Sequence, residues 1–393
     1  MSVFSPRPEM PAPSTARGIV RAVLLTLPML LLIAMMMTQG ELPKDSLTRA
    51  VTAITYALLG AVFFLMVYKK ETYKYRAALF TIVAVCFSIA FIANLVEMRG
   101  SMAVSRADML AGETPFCHLV IPMVIIPAAF TRTIIFPGSL LEGFANIASM
   151  LILWLGASLA LGRGWCSWVC FFGGFDEGFS RLRKKALIKK IAPVWTYLPW
   201  AVLLTLALIS ALTLSPFYCE WLCPFKAVTE FEQITSFKIL LQTIIFASLF
   251  ILLVVILPLL TRRRTQCGLF CPFAAFQSLA NKINIFDLRI DTEKCKNCRL
   301  CVKDCPTFSL DENSVGRGKT LMSCTKCGKC VDICPQRAVT YHIKGTPVAV
   351  GSDTARILFL YPAFIFMSAI GGSMIVSALT RIFKLIATGS MIG

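Results

Sequence analysis

Two cysteine runs carry the plainest chemistry in the chain: CKNCRLCVKDCP at 295–306 and CTKCGKCVDICP at 324–335. Each reads C-x2-C-x2-C-x3-C-P. At that spacing three cysteines of one run and the fourth of the other hold a cubane [4Fe–4S] cluster. Cys295, Cys298, Cys301 and Cys334 are therefore candidate ligands of one cluster, and Cys324, Cys327, Cys330 and Cys305 of a second. A zinc ribbon or a set of disulfides explains a single group of this kind. It does not explain two complete copies at matched spacing. Two cubanes side by side make an electron conduit.

Three C-x3-C pairs form a second set: Cys166/Cys170 in GRGWCSWVCFF, Cys219/Cys223 in YCEWLCPF and Cys267/Cys271 in QCGLFCPF. On an α-helix, residues i and i+4 share a face, so each pair is expected to point two sulfurs in one direction. By the topology below, the first and third pairs both sit at cytoplasmic helix ends and are placed to converge, while the middle pair lies at the opposite face unless 215–237 folds back into the membrane. Two converging pairs would supply four thiolates. That is enough for a further iron–sulfur cluster, although a zinc site has the same ligand count and buried thiols also pack as small hydrophobes. Cys86, in the middle of an apolar stretch, reads as a packing thiol. Cys117 and His118 fall on the same expected side as Cys219 and Cys223, where they are either a metal or quinone site or a satisfied structural pair.

The elements that position these cysteines are dictated by composition. Of the 393 residues, 57% are hydrophobic and 15% charged. Soluble domains carry about 25% charged residues, so lipid is the main solvent here. Apolar stretches near 19–38, 51–68, 77–96, 143–162, 194–214, 238–260 and 356–379 are long enough to span a bilayer. The first has Arg17 and Arg21 ahead of its apolar core, as a signal peptide would, and is read as a retained helix. Lysine and arginine cluster in the N-terminal tail, in KKETYKYR, at 181–190 and at 262–264. These regions share one side if the N-terminus is cytoplasmic; Arg381 and Lys384 then fall outside. The net charge of +18 is explained by this topology, without nucleic acid as a partner. Residues 113–138 are apolar but short and broken by proline, and read as a re-entrant segment.

The expected fold is an all-α polytopic membrane protein of about seven transmembrane helices plus a re-entrant segment, with an inserted α+β 2[4Fe–4S] ferredoxin-like domain. The expected divisions are a cytoplasmic tail at 1–18, a transmembrane domain at 19–284, the ferredoxin-like domain at 285–347 and a closing transmembrane helix at 348–393. With only His118 and His342 and no CxxCH, haem is not expected.

GRGWCSWVCFFGGFDEGFSR, CEWLCPFKAVTEF and CGLFCPFAAFQSL resemble the GR-x-x-C-G-W-x-C-P-x-G elements of the membrane-bound polyferredoxin family, of the NapH, NosR and CcoG types. The resemblance covers about 162–340. It implies an electron carrier in the cytoplasmic membrane that links the quinone pool or a soluble donor to iron–sulfur or cytochrome subunits of a redox complex. Ser167 and Phe171 depart from the family's Gly and Pro, and a third pair is unusual for the simple nitrate-reduction type. No D-x-S-G-A-T-like motif appears, so no covalent flavin is expected.

The expected function is thus electron transfer between quinol and a partner redox subunit. Quinol oxidation needs a proton acceptor; candidates are Glu97, Glu113 and His118 on the outer side, and Asp176 and Glu177 beside the first C-x3-C pair. Each is equally an ordinary polar residue at a helix end. Two alternatives use the same clusters: an assembly factor that reduces a metal ion, and a redox-sensing membrane anchor.

Overall fold

The computed structural model describes residues 15–38, 41, 43–97, 117–135, 139–141, 146–229, 234–346 and 352–391, the side chains of 15, 92–97 and 352 excepted. Its principal helices are α1 (Thr15–Thr38), α2 (Ser46–Lys69), α3 (Thr72–Glu97), α4 (Ile121–Thr131), α5 (Ile147–Leu161), α6 (Phe172–Arg181), α7 (Leu198–Thr213), α8 (Phe237–Leu249), α9 (Pro272–Ile283) and α10 (Ser352–Thr388). Among the described residues, seven helical stretches are long and apolar enough to cross a membrane: Ala16–Thr38, Ser46–Lys69, Thr72–Phe91, Ile147–Trp168, Pro193–Thr213, Phe237–Thr261 and Asp353–Thr388. They correspond one to one with the seven apolar stretches of the sequence. Helices form there because lipid offers no partner to a peptide group, so each N–H must be satisfied within its own segment. The outward residues are apolar in consequence: Ile152 is 71% exposed and Leu212 85%.

Helix α10 packs against α1, α2 and α3, with Phe63 of α2 meeting Tyr361 and Phe364 edge-on at 5.6 and 5.1 Å. The expected re-entrant segment is a short apolar helix, His118–Thr131, with Pro122 in its first turn and Pro127 inside. Ile121, Pro122, Met123 and Val124 are buried, and α7 and α9 cover the segment. Residues 113–116 and 136–138 of that expectation lie outside the described residues.

The inserted domain contains a two-stranded antiparallel sheet, β1 (Phe286–Ile290) with β2 (Val339–Ile343), in the register Phe286↔Ile343 to Ile290↔Val339. Phe286, Leu288 and Ile290 alternate inward. The sheet rests on the membrane helices through aromatic rings: Phe359 of α10 stacks on Tyr341 at 5.0 Å and meets Phe286 and Trp168 edge-on at 5.5 and 5.8 Å. Asp332 of this domain receives the N–H groups of Thr72 (3.3 Å) and Tyr73 (2.8 Å), so the first turn of α3 is capped from outside its own sequence.

Helix α6 lies close on α3 because Gly174 has no side chain. A Cβ at Gly174 would meet the Phe80 carbonyl oxygen and stand 2.7 Å from Ala84 Cβ. Gly174→Ala is therefore expected to destabilise the protein by about 1–3 kcal/mol, measured by thermal unfolding in detergent. Gly156→Ala, which meets nothing within 4 Å, should melt with the parent. Equal melting of the two variants would refute the close approach.

Candidate functional site

The two ferredoxin-type runs are built alike in the backbone. Left-handed residues recur at matching places: Asn297 and Lys326 two residues after the first cysteine, Arg299 and Gly328 two residues further on, and Phe308 and Arg337 three residues after the fourth. These turns coil each run tightly, and a short helix starts at the third cysteine's neighbour, Leu300–Lys303 in one copy and Lys329–Ile333 in the other. Cys295, Cys298 and Cys301 line one cavity together with Cys334. Cys324, Cys327 and Cys330 line a second together with Cys305. The fourth cysteine of each run thus crosses to the other cavity. None of the sixteen cysteines is in a disulfide.

Among the described residues, no three Cys, His, Asp or Glu side chains stand close enough to share one ion. Thiols around a cavity suit a cluster, whose irons lie apart, better than a zinc ion with sulfurs about 2.3 Å from its centre. Burial and the thiols of Cys334 and Cys298 push Cys301 up to about 11, and burial pushes Cys327 up to about 11. These thiols therefore keep their protons until iron displaces them.

The first and third C-x3-C pairs meet, as expected from their common helix-end position. Cys170 interacts electrostatically with Cys166 and Cys271, and Cys267 with Cys170 and Cys271. All four are nearly buried. The expected α-helical i, i+4 geometry is not what holds the later pairs. Cys219 and Cys267 sit in π turns, Tyr218–Leu222 and Gln266–Phe270, and Cys223 and Cys271 follow in extended backbone before their prolines. The proline after each second cysteine disfavours helical backbone at that cysteine, and the wider turn ends there.

For the middle pair, the fold-back and not the opposite-face placement is what the chain adopts. It reverses after α7: the Phe217 N–H donates to Ser210 Oγ at 3.3 Å, and Phe225 stacks on Phe172 at 4.3 Å. Tyr218 consequently lies within electrostatic range of both Cys223 and Cys271. His118, expected with the middle pair on the outer side, places Nε2 2.9 Å from Cys170 Sγ, and Cys117 interacts with Cys223. All three pairs gather in one region of the interior. Cys86 lies in the apolar core.

A buried ionic network joins the thiols to the inserted domain. Arg264 donates to Ser167 Oγ (2.7 Å), the Cys166 carbonyl (2.7 Å) and Cys267 Sγ (3.2 Å), while its backbone N–H donates to the Pro306 carbonyl beside Cys305 (2.8 Å). Arg76 donates to the Ser167 carbonyl (2.8 Å) and to Glu177 Oε2 (2.9 Å); the Tyr73 hydroxyl donates to Glu177 Oε1 (2.7 Å). Arg76 also interacts electrostatically with Cys327 of the second cavity. Arg163 donates to the Cys267 carbonyl at 3.1 Å. Burial opposes ionisation of Glu177, but Arg76 and Arg264 outweigh it and hold the carboxyl down to about 2. Burial pushes Asp176 up to about 7 against the pull of Arg264; its Oδ2 accepts the Cys267 N–H at 2.9 Å. Both carboxylates, expected as interfacial proton acceptors, are 0% exposed. Glu113 and the Glu97 side chain lie outside the described residues.

Arg76, Arg264, Tyr73 and Tyr218 were missed from sequence. A charged residue inside an apolar stretch is a functional signal, and Arg76, at the head of the third span, carries it; Arg264, in an arginine run directly ahead of a cysteine pair, hides among topological charges.

The comparisons agree with this geometry. The model of a 4Fe–4S dicluster domain matches residues 287–347. The model of a 4Fe–4S binding domain matches three successive segments, 143–190, 196–240 and 243–290, each containing one C-x3-C pair. The putative electron transport protein YccM of Escherichia coli is 26% identical over 212 residues, covering 50% of this chain and 56% of the relative. Ferredoxin-type protein NapH of the same organism is 28% identical over 190 residues, covering 47% and 63%. Protein NirI of Paracoccus denitrificans is 24% identical over 265 residues, covering 62% and 38%. The chain thus spans little more than half the length of YccM. No solved structure matches. With its doubled ferredoxin run, its three C-x3-C repeats and these relatives, the chain resembles the membrane-bound polyferredoxins over about half of its length.

Proposed function

We propose that the chain is an iron–sulfur electron carrier of the cytoplasmic membrane that passes electrons between the quinone pool and a partner redox subunit. The N-terminus and the inserted domain face the cytoplasm in this reading, following the lysine and arginine clusters. One observation carries it: two cysteine quartets line adjoining cavities, and a third thiol group lies behind them, joined to the second cavity through Arg76.

In this reading Cys295, Cys298, Cys301 and Cys334 hold one [4Fe–4S] cluster and Cys324, Cys327, Cys330 and Cys305 a second. Cys166, Cys170, Cys267 and Cys271 hold a third. Such a cluster supplies a one-electron couple whose potential follows its charge, hydrogen bonds and exposure. The charges around the third thiol group support its assignment. Arg76, Arg163 and Arg264 are each at most 3% exposed; Arg76 and Arg264 share the Glu177 carboxylate, and Arg163 meets the Ser278 hydroxyl and the Cys267 carbonyl. Buried positive charge in excess is costly without an anion, and a core held by four thiolates is anionic. The guanidinium N–H on Cys267 Sγ orients that ligand and shields it from lipid.

Iron and acid-labile sulfide, measured on the full chain purified without oxygen, should reach at least about twelve irons per chain. A quinol analogue should reduce the EPR-visible centres. Iron-free protein would refute the reading. Reduction of a metal ion with no response to quinol would replace it with the assembly function.

A further inference from the structure

We propose that Cys117, Cys219 and Cys223, with the Tyr218 hydroxyl, form a further iron–sulfur site inside the membrane domain, on the far side of the Cys166/Cys170/Cys267/Cys271 group from the inserted domain. The proposal rests on the preceding reading in taking membrane thiols as cluster ligands.

Two distant stretches supply the group. Cys117 stands directly before the His118–Val120 turn, and the other three residues belong to the fold-back after α7. The Cys117 thiol is in electrostatic range of Cys223 and of Lys226. The Tyr218 hydroxyl is in range of Cys223, Cys271, Cys219 and Cys117. Tyr218 is 0% exposed, and its hydroxyl has no hydrogen-bond partner among the described residues. A buried hydroxyl left unmade costs about 1–3 kcal/mol, so apolar packing alone is a poor account of a tyrosine at this place. Sulfur of a cluster would accept its O–H.

Local backbone points the same way. The π turn Tyr218–Leu222 sets Cys219 and Cys223 apart by a wide turn, with Cys223 extended at φ −78°, ψ 108°. Such turns are rare and concentrate at functional sites. The thiols do not converge on a single-ion position. The two ferredoxin-type quartets likewise offer no single-ion position among the described residues. Three thiolates on a cubane core leave an anion, and Lys226 is the cation that acts on Cys117.

Position gives the site its role. His118, next in sequence to Cys117, reaches Cys170 at 2.9 Å, and Tyr218 interacts with Cys271 as well as Cys223. The two membrane groups are therefore neighbours. The site exchanges single electrons with the Cys166/Cys170/Cys267/Cys271 centre, one being oxidised as the other is reduced, with no bond made or broken. The conduit extends one step further from the inserted domain.

The test compares iron, sulfide and EPR spectra of the full chain with those of a Cys117→Ser/Cys223→Ser variant, a Cys166→Ser/Cys271→Ser variant and Tyr218→Phe, all purified without oxygen. The parent should hold about sixteen irons and each double variant about four fewer. Tyr218→Phe should keep its iron and shift the midpoint of one centre only. Full iron in Cys117→Ser/Cys223→Ser, with loss in Cys166→Ser/Cys271→Ser, overturns this site and leaves the preceding reading intact. Full iron in both overturns the membrane clusters altogether. Stoichiometric zinc or copper lost with Cys117 and Cys223 also overturns the iron–sulfur assignment. If the double variant fails to fold, Tyr218→Phe decides: spectra and midpoints identical to the parent overturn the site.

Discussion

Arg264→Met should cost about 3–5 kcal/mol of stability, the usual price of breaking a buried ion pair by removing one partner. The guanidinium is 0% exposed and satisfies Ser167 Oγ, the Cys166 carbonyl and Cys267 Sγ at once, with Glu177 3.9 Å away. Methionine fills the volume but leaves those acceptors without a donor. Arg264→Lys keeps the charge but not the fork, because one ammonium group cannot span acceptors on two segments; its loss should be intermediate. Thermal unfolding in detergent reads both. Because Glu177 also pairs with Arg76 at 2.9 Å, Glu177→Gln in the Arg264→Met background should cost further stability by leaving Arg76 unpaired, but less than the sum of the two single losses, the non-additivity expected of one network. Parent-like melting of Arg264→Met would remove the network from the account of what holds the junction together.

Cys327→Ser should remove one ferredoxin-type centre: about four irons fewer per chain, with electron transfer through the domain down by more than the roughly 10–100-fold usual for outer-shell losses. Cys327 lines the second cavity, is buried and lies in the field of Arg76 and Glu177, so its loss strikes the link between the domain and the membrane thiols. Cys86→Ser is the control. That thiol sits among apolar side chains of the core, and its replacement should leave iron and spectra unchanged. A Cys327→Ser chain with full iron and unaltered EPR would mean that the second quartet is not a ligand set.

The parts of the fold legible in the sequence were those fixed by local rules. Seven spans could be read because lipid forces each one to satisfy its own backbone. The ferredoxin-type quartets could be read because spacing within a tight loop determines which sulfurs meet, and the repeat of left-handed positions at Asn297/Lys326 and Arg299/Gly328 shows the same loop built twice. The meeting of Cys166/Cys170 with Cys267/Cys271 followed from their common helix-end position. The return of Tyr218–Phe225 was legible only as one of two alternatives. It depends on Ser210 catching the Phe217 N–H and on Phe225 finding Phe172, contacts that no periodicity announces. The arginine network was hidden for a related reason: Arg76 pairs with a residue about a hundred positions away, and its charge counts equally well as a topological marker in the sequence.

Asp332 lies between Cys330 and Cys334 yet closes the first turn of α3, a helix made some 260 residues earlier in the chain. During synthesis that helix must enter the bilayer with its leading amides still open. They are closed only when the loop carrying Asp332 has taken its final shape. The start of one spanning helix is thereby made to wait on a segment translated long after it, so a chain truncated ahead of that loop is expected to keep a frayed helix start.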